Sequence, residues 1–377
     1  MSAIVIIGGG ITGTAAADAL AREGHRVTLI EKNRLAAMAS GRTLGGVRQS
    51  GRHPAELPLA RAAVDLWKDL GERLGADVDY RQGGNLRLAR TPAEVGIIRG
   101  IVERQRAQGL PLDFLPDNAA VRSVAPALSH HVLAASYCAS DGHADPVKTT
   151  NAFADSARRH GATIREGVGV LSIEVAKGRV EGVATSEGFV PAERVILAAG
   201  VDSPTLLAPL GLHLPLSMQM VSVVQSEPLP PTLGQVFGVA NADCAGRQEV
   251  GGRLRFTDGG SSQGPWVAEP PGEAVRDLVA LVAHVLPGAG TAKVARTWTG
   301  LIDLTPDALP VIDTPGSVAG LVVAAGFSGH GFCLGSVSGL LCADLVIGRP
   351  PRHDLAAFRL SRFDGAPLAG EAPSMHG

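Results

Sequence analysis

Gly8, Gly10 and Gly13 form a GxGxxG pattern directly after a run of β-formers, Ile4-Val5-Ile6-Ile7, and directly before an Ala-rich helical pattern (Ala15, Ala16, Ala17, Ala19, Leu20). Each glycine has its own task there. Gly8 allows the tight strand-to-helix turn, Gly10 lets a pyrophosphate approach the backbone, and Gly13 lets the helix lie close to the strand. The helix start, with Ile11 and Thr12, then turns unsatisfied N–H groups and a partial positive charge towards phosphate. A second β-run, Arg26-Val27-Thr28-Leu29-Ile30, ends at Glu31, 18 residues past Gly13, where a carboxylate can accept hydrogen bonds from ribose hydroxyls. Its charge disfavours a 2′-phosphate. GxGxxG alone marks only a glycine-rich turn; strand, glycines, helix, second strand and acid in order indicate a bound dinucleotide.

Two further apolar runs end in small-residue turns, Val195 to Ala199 before Gly200 and Leu321 to Ala325 before Gly326. Ligands in parallel α/β sheets bind at the C-terminal ends of strands, so Gly8, Gly200 and Gly326 can all face one ligand. Periodicity predicts helices over 57–74, 94–108, 271–286 and 334–347. Another runs from Pro146 to Gly161, with Asp145 as N-cap. Strands are predicted within 83–89, 162–183 and 215–260. Residues 39–52 are glycine-rich with neither period, and loops this long in a compact domain are usually functional. Residues 111–126 read as connection, 298–307 as a loop leading into a strand near Val311, and 364–377 as a frayed tail.

The chain has 377 residues, is 45% hydrophobic and 19% charged, and carries a net charge of −2. Those values fit a soluble globular protein of one large or two domains and give no electrostatic footprint for nucleic acid. The apolar stretch from Val318 to Gly348 is broken by Gly326, Gly329, His330, Gly331, Gly335 and Gly339, so it reads as strand, turn and buried helix rather than a membrane span. A first strand starting at residue 3 leaves no room for a leader. Cys138, Cys244, Cys333 and Cys342 show no CxxC pair or zinc spacing. No metal and a cytoplasmic location are therefore expected.

Four blocks together, Gly8 to Gly13 with Glu31, Ser40 to Arg48, Ala198-Ala199-Gly200 and Gly326 to Phe332, make the chain resemble the glycine and D-amino acid oxidase family of flavoproteins. That family includes the sarcosine oxidase branch, and the resemblance covers about residues 3 to 363. Gly45-Gly46-Val47-Arg48, with Trp298 to Asp307, is most similar to β-subunits of heteromeric sarcosine oxidases and to flavin subunits of proline, hydroxyproline and opine dehydrogenases. The implied fold is α/β (α+β), with a discontinuous Rossmann-like FAD-binding domain (1–80, 141–214 and 296–363) and a mixed β-sheet substrate domain (81–140 and 215–295).

The implied cofactor is FAD. Gly8, Gly10, Ile11, Thr12, Gly13, Glu31 and Lys32 would hold its nucleotide end, with Val170, Ala199 and Gly200. Ser40, Arg42, Thr43, Leu44, Gly45 and Gly46 would wrap the pyrophosphate and flavin, near Gly300. Gly329, His330, Gly331, Phe332 and Cys333 would bring N–H donors to the flavin N1–C2=O edge, where negative charge develops. The competing reading of this last block is tight packing of strand against helix. Some relatives attach flavin through a cysteine, which aligns with Gly300 here, so non-covalent FAD is implied. Monomeric sarcosine oxidases have a lysine at Cys333, a departure that argues against sarcosine as substrate.

The resemblance implies FAD-dependent oxidation of an amine or imino acid of the sarcosine, proline, hydroxyproline, opine or D-amino acid class. Hydride passes from Cα–H to flavin N5 and the imine hydrolyses. Arg48 matches the family's substrate arginine, and guanidinium pairs bidentately with carboxylate; the alternative is a surface or ribityl contact. Arg255 either touches substrate or flavin or is an outward-facing strand arginine. His330 acts on the amine proton or orders the loop. Asp303 and Asp307 stabilise turns, His143 belongs to the start of its helix, and Cys333 is a small filler. Electrons pass to O2 or to an electron-accepting partner subunit, which makes a hetero-oligomer one of the alternatives; a nicotinamide-dependent dehydrogenase is the remaining reading.

Overall fold

The computed structural model describes residues 3–260 and 266–365. Most of the predicted tail, 366–377, lies outside the described residues. The strand Ala3–Ile7 is central in a six-stranded sheet, with Arg26–Glu31 and Thr163–Glu166 on one side and Arg194–Leu197, Leu321–Ala325 and Val311–Asp313 on the other. All neighbours are parallel except the last pair. Because side chains alternate along a strand, Ile4 and Ile6 enter one core with the helices Ile11–Arg22, Pro146–Arg159 and Gly331–Val346. Val5 and Ile7 enter a second core, under the antiparallel strands Val170–Ala176, Arg179–Thr185 and Gly188–Pro191. The strands ending at Gly8, Gly200 and Gly326 are adjacent in this sheet, so their turns share one edge.

A second, eight-stranded sheet runs in the order Val294–Leu304, Ser217–Pro228, Arg253–Asp258, Cys244–Gln248, Val236–Val239, Asn85–Ala89, Ala134–Cys138 and Asp113–Leu115. One face is closed by the helix Gly272–Val285, whose Leu278 and Val282 pack with Leu86, Leu88, Leu254 and Phe256. Alternation sends Asn85, Arg87 and Arg255 to the opposite face.

Four readings of the sequence are corrected here. Residues 298–304, expected to be loop, belong to the edge strand Val294–Leu304, paired with Ser217–Pro228. Gly300, Leu301, Ile302 and Asp303 all border a cavity, so both faces of this end of the strand lack a clean apolar alternation. The connection 111–126 contains the strand Asp113–Leu115 and the helix Asn118–Val124, whose N-cap Asp117 accepts from the Ala120 N–H at 2.8 Å. The helix expected over 57–74 breaks between Leu57–Trp67 and Leu70–Leu74, while Trp67 and Leu70 both stay in the core and keep the apolar period. The last helix starts at Gly331, three residues before its expected start. Among the described residues no helix is long and apolar enough to cross a membrane.

Packing of Ile11–Arg22 against Gly331–Val346 depends on missing side chains. A Cβ at Gly335 would lie 2.4 Å from Ile11 Cγ2, and one at Gly339 would lie 2.7 Å from the Ala15 backbone carbon. Gly339→Val should therefore lower the unfolding free energy by about 2 kcal/mol or more, as overpacking does. Urea denaturation measures this, and unchanged stability would mean the helices separate freely.

Candidate active site

The first glycine turn is set by backbone contact. Gly8 has φ +112°, and a Cβ there would sit 2.3 Å from the Ala198 carbonyl oxygen; at Gly13 it would sit 2.1 Å from the Gly8 carbonyl oxygen. Neither position admits a side chain. Gly10, by contrast, borders open cavity. Beside it Ser40, on the distant 39–52 loop, accepts the Ile11 N–H on its Oγ at 3.0 Å. Glu31 takes the Gly9 N–H at 2.6 Å and the Asn33 N–H at 2.8 Å on its two oxygens, which fixes the carboxylate at the strand end.

Two cavities meet at this turn. One is bordered by Gly8, Gly9, Glu31, Lys32, Val170, Ala199 and Gly200. The other lies under the eight-stranded sheet. Gly10, Ser40, Ala198, Gly200, Leu301 and Asp303 line both, so the pair forms one elongated space. Arg42, Thr43, Leu44, Gly46, Arg48, Gly300, Gly329, His330, Gly331 and Phe332 border the second cavity, as do Ile11 and Thr12. Two helix N-termini, at Ile11 and Gly331, thus open onto this space with their positive dipole ends.

The irregular loop 39–52 is held by side chains from the second sheet. Arg247 donates to the carbonyls of Leu44 and Ala144 and to His143 Nδ1, and Arg255 donates to the Thr43 carbonyl at 3.0 Å. Trp298 Nε1 donates to the Arg42 carbonyl at 3.0 Å. Buried Asp141 accepts from the N–H groups of Gln49 and Ser50 and from the Ser50 hydroxyl; burial raises its pKa.

At the far end, His330 Nδ1 lies 2.9 Å from Glu56, which also faces Arg52 at 3.5 Å. Glu56 is fully buried. Arg52 donates to the Arg48 carbonyl, and Arg48 donates to the carbonyl of Ser50 at 2.6 Å while its side chain borders the cavity. With Arg52 as the cation beside Glu56, His330 stays neutral: burial first, then Arg52, lowers it to about 4. Its Nδ1–H then donates to the Glu56 carboxylate.

An elongated space with two helix N-termini, a carboxylate at the end of the second strand and glycine backbone at its waist fits an FAD. Residues 3–345 match the family described as FAD dependent oxidoreductase (DAO). The chain belongs to that family. The oxidoreductase is 30% identical to a glycine oxidase of Geobacillus kaustophilus, over 96% of this chain and 97% of the relative. It is 27% identical to a D-amino acid dehydrogenase of Cereibacter sphaeroides, over 96% and 95%. Among solved structures, L-proline dehydrogenase from P. horikoshii superposes with a TM-score of 0.89 at 28% identity, covering 96% of this chain and 98% of that one.

Arg255, Cys333, Gly13 and Gly45 of the oxidoreductase sit differently from expectation. Arg255 does not border either cavity and is not outward-facing; it is buried, 2.5 Å from Glu249 and 5.1 Å from the Trp298 ring centroid, and holds the loop through Thr43. Cys333 turns away from the cavity towards the Arg48 carbonyl at 3.4 Å, and burial raises its thiol to about 11. Gly13 and Gly45 act through close packing: a Cβ at Gly45 would lie 2.5 Å from the Ala144 carbonyl oxygen. Lys32 borders the first cavity and pairs with Asp202 at 2.7 Å. Asp303 lines both cavities and accepts from the Gly326 N–H at 2.8 Å; burial raises it to about 6. Glu56, Asp141, Arg247 and Arg87 went unnoticed in the sequence. Only Arg87 carried a signal, the alternation Asn85-Leu86-Arg87-Leu88 that puts polar residues on one strand face.

Removing the Glu56 charge should leave Arg52 buried beside no acid, so Glu56→Gln is expected to cost about 3 kcal/mol in thermal or urea unfolding. His330 has a folded pKa below its ordinary 6.5, so its contribution is full above pH 6.5 and lost as pH falls towards 4. The stability advantage of wild type over His330→Asn should shrink by about 2 kcal/mol across that window. Parallel pH profiles would refute a buried neutral ring.

Proposed function

We propose that the oxidoreductase converts a small amino or imino acid to its imine by loss of hydride from Cα–H, the imine then hydrolysing to a carbonyl compound and an amine or ammonia. When bound, FAD supplies the hydride acceptor at flavin N5. The residues that would hold it are Gly10 to Thr12, Glu31 and Val170 at the nucleotide end, Ser40 to Gly46 at the middle, and Gly329 to Phe332 at the other end. Cysteine is absent from the residues lining the two cavities, and Gly300 stands where attachment would need a thiol, which supports non-covalent retention. We assign the six-stranded sheet to cofactor binding and the eight-stranded sheet to substrate, with Val294–Leu304 in the second unit because of its pairing with Ser217–Pro228.

The observation that carries this reading is Arg48 on the wall of the cavity that the Gly329 to Phe332 backbone also borders. Its guanidinium orients a substrate carboxylate by paired hydrogen bonds. Backbone N–H groups at the start of Gly331–Val346 stabilise negative charge that grows during the reaction, without reorganising. The second sheet keeps water from that face. At a pKa of about 4, His330 is too weak a base to deprotonate an ammonium group at neutral pH, so it orders the turn and the substrate must lose its proton to solvent or bind as the free amine. The names of the relatives, a glycine oxidase and a D-amino acid dehydrogenase, support an amino acid as substrate.

The purified protein should be yellow, and anaerobic addition of at least one of a panel of glycine, sarcosine, proline and neutral and acidic amino acids should bleach it. Readmitted air restores the colour quickly in an oxidase and slowly in an enzyme that needs a partner acceptor. A colourless protein that takes up no FAD would sink the reading. Arg48→Ala should raise KM for carboxylate substrates about tenfold or more with FAD content unchanged. Glu31→Arg should weaken FAD retention, measured by flavin fluorescence after dilution.

A further inference from the structure

Arg87 is a cavity-lining arginine that is almost fully buried and has no carboxylate beside it among the described residues. Its side chain is 7% exposed, on the cavity face of the strand Asn85–Ala89. Its hydrogen bond to protein is from Nη1 to the Val239 carbonyl, at 3.3 Å. Among the described residues it has no carboxylate partner. Arg42 donates to the Ala37 and Thr299 carbonyls, and Arg52 faces Glu56. Burial, together with Arg52, lowers the Arg87 pKa to about 10, and Arg87 in turn lowers that of Arg48. The two acids on the same wall are committed elsewhere: Asp258 accepts from the N–H groups of Ser222 and Gly260, and Asp303 from Gly326.

Isolated buried cations are costly, and folds ordinarily pair them. The neighbouring strand also leaves room for this one. Gly238 lies opposite Arg87 in the parallel pairing, and a Cβ there would come within 3.3 Å of Nη1. Asn85, two residues along on the same face, borders the cavity as well and is oriented by its Nδ2 donation to Ser50 Oγ at 3.1 Å.

We propose that the substrate carries two carboxylates, one held by Arg48 and the second by Arg87. The substrate class is then acidic amino acids or N-carboxyalkyl amino acids rather than glycine or proline. This rests on the reading of Arg48 given above and narrows it. A guanidinium fork matches carboxylate geometry, and a second carboxylate offsets the mutual repulsion of Arg48, Arg52 and Arg87.

Isothermal titration of the FAD-loaded enzyme with unreactive acids tests this. Malonate, succinate, glutarate and diglycolate are compared with acetate, butyrate and methoxyacetate. The best dicarboxylate should bind at least about tenfold tighter than the best monocarboxylate. Arg87→Met should reduce that preference below about threefold with monocarboxylate affinity little changed, and Arg87→Lys should restore part of it. Flavin absorbance and thermal unfolding confirm that each variant is folded and loaded, and the wild-type comparison is decisive without any variant. Equal affinity for the two classes, or proportional loss of both in Arg87→Met, would overturn the inference. If glycine or sarcosine bleaches the flavin while dicarboxylates have no advantage, the proposed function stands and only this inference falls. If no acid binds and no amine bleaches the flavin, both fall.

Discussion

The site depends on how closely backbones meet around the helix Ile11–Arg22. At its start, Gly8 lies against Ala198 and Gly13 against Gly8; along its length, Gly335 and Gly339 of the last helix lie against Ile11 and Ala15. None of these contacts has space for a methyl group. The helix is therefore positioned by what its neighbours lack, and its N-terminus is delivered to the waist of the elongated cavity. Interiors packed this densely have little freedom to adjust. A small displacement of this helix would shift its dipole end and the Ser40 contact together.

The second principle is side-chain bracing of irregular backbone. Residues 39–52 contain only the four-residue helix Ala39–Arg42 and the two-residue strand Gly46–Val47. Buried carbonyls in such a stretch need donors. Arg247, Arg255 and Trp298 supply them from the neighbouring sheet, and Asp141 satisfies N–H groups further along. Glu249 offsets part of the positive charge this requires, at 2.5 Å from Arg255. The eight-stranded sheet is thus both the roof of the cavity and the scaffold of the loop beneath it.

These two principles explain what the sequence could disclose. The turn at Gly8 to Gly13, Glu31 at the end of its strand and the Asp145 cap on Lys148 N are local arrangements, and local spacing announces them. The three glycine turns were legible because each follows its own buried strand. Arg255 was not, because its role depends on Thr43, 212 positions away. The same holds for Glu56, whose partner His330 is 274 residues distant. The strand Val294–Leu304 was lost to a different cause. Four consecutive residues, Gly300 to Asp303, border the cavity, so no clean alternation marks the strand, and period is the main signal a strand offers.

The order of strands has a kinetic meaning. Ala3–Ile7 is bordered by Arg194–Leu197, and that strand by Leu321–Ala325; Asn85–Ala89 is bordered by Val236–Val239. Both sheets therefore recruit neighbours from segments far apart along the chain, and such long-range pairings close slowly. During synthesis the first glycine turn leaves the ribosome hundreds of residues before the final helix that packs against it. Until that helix arrives, the Ala-rich face of Ile11–Arg22 has no cover, and the dinucleotide cradle is only half built. Completion of the core and completion of the cofactor site are one late event, set by the last sixth of the chain.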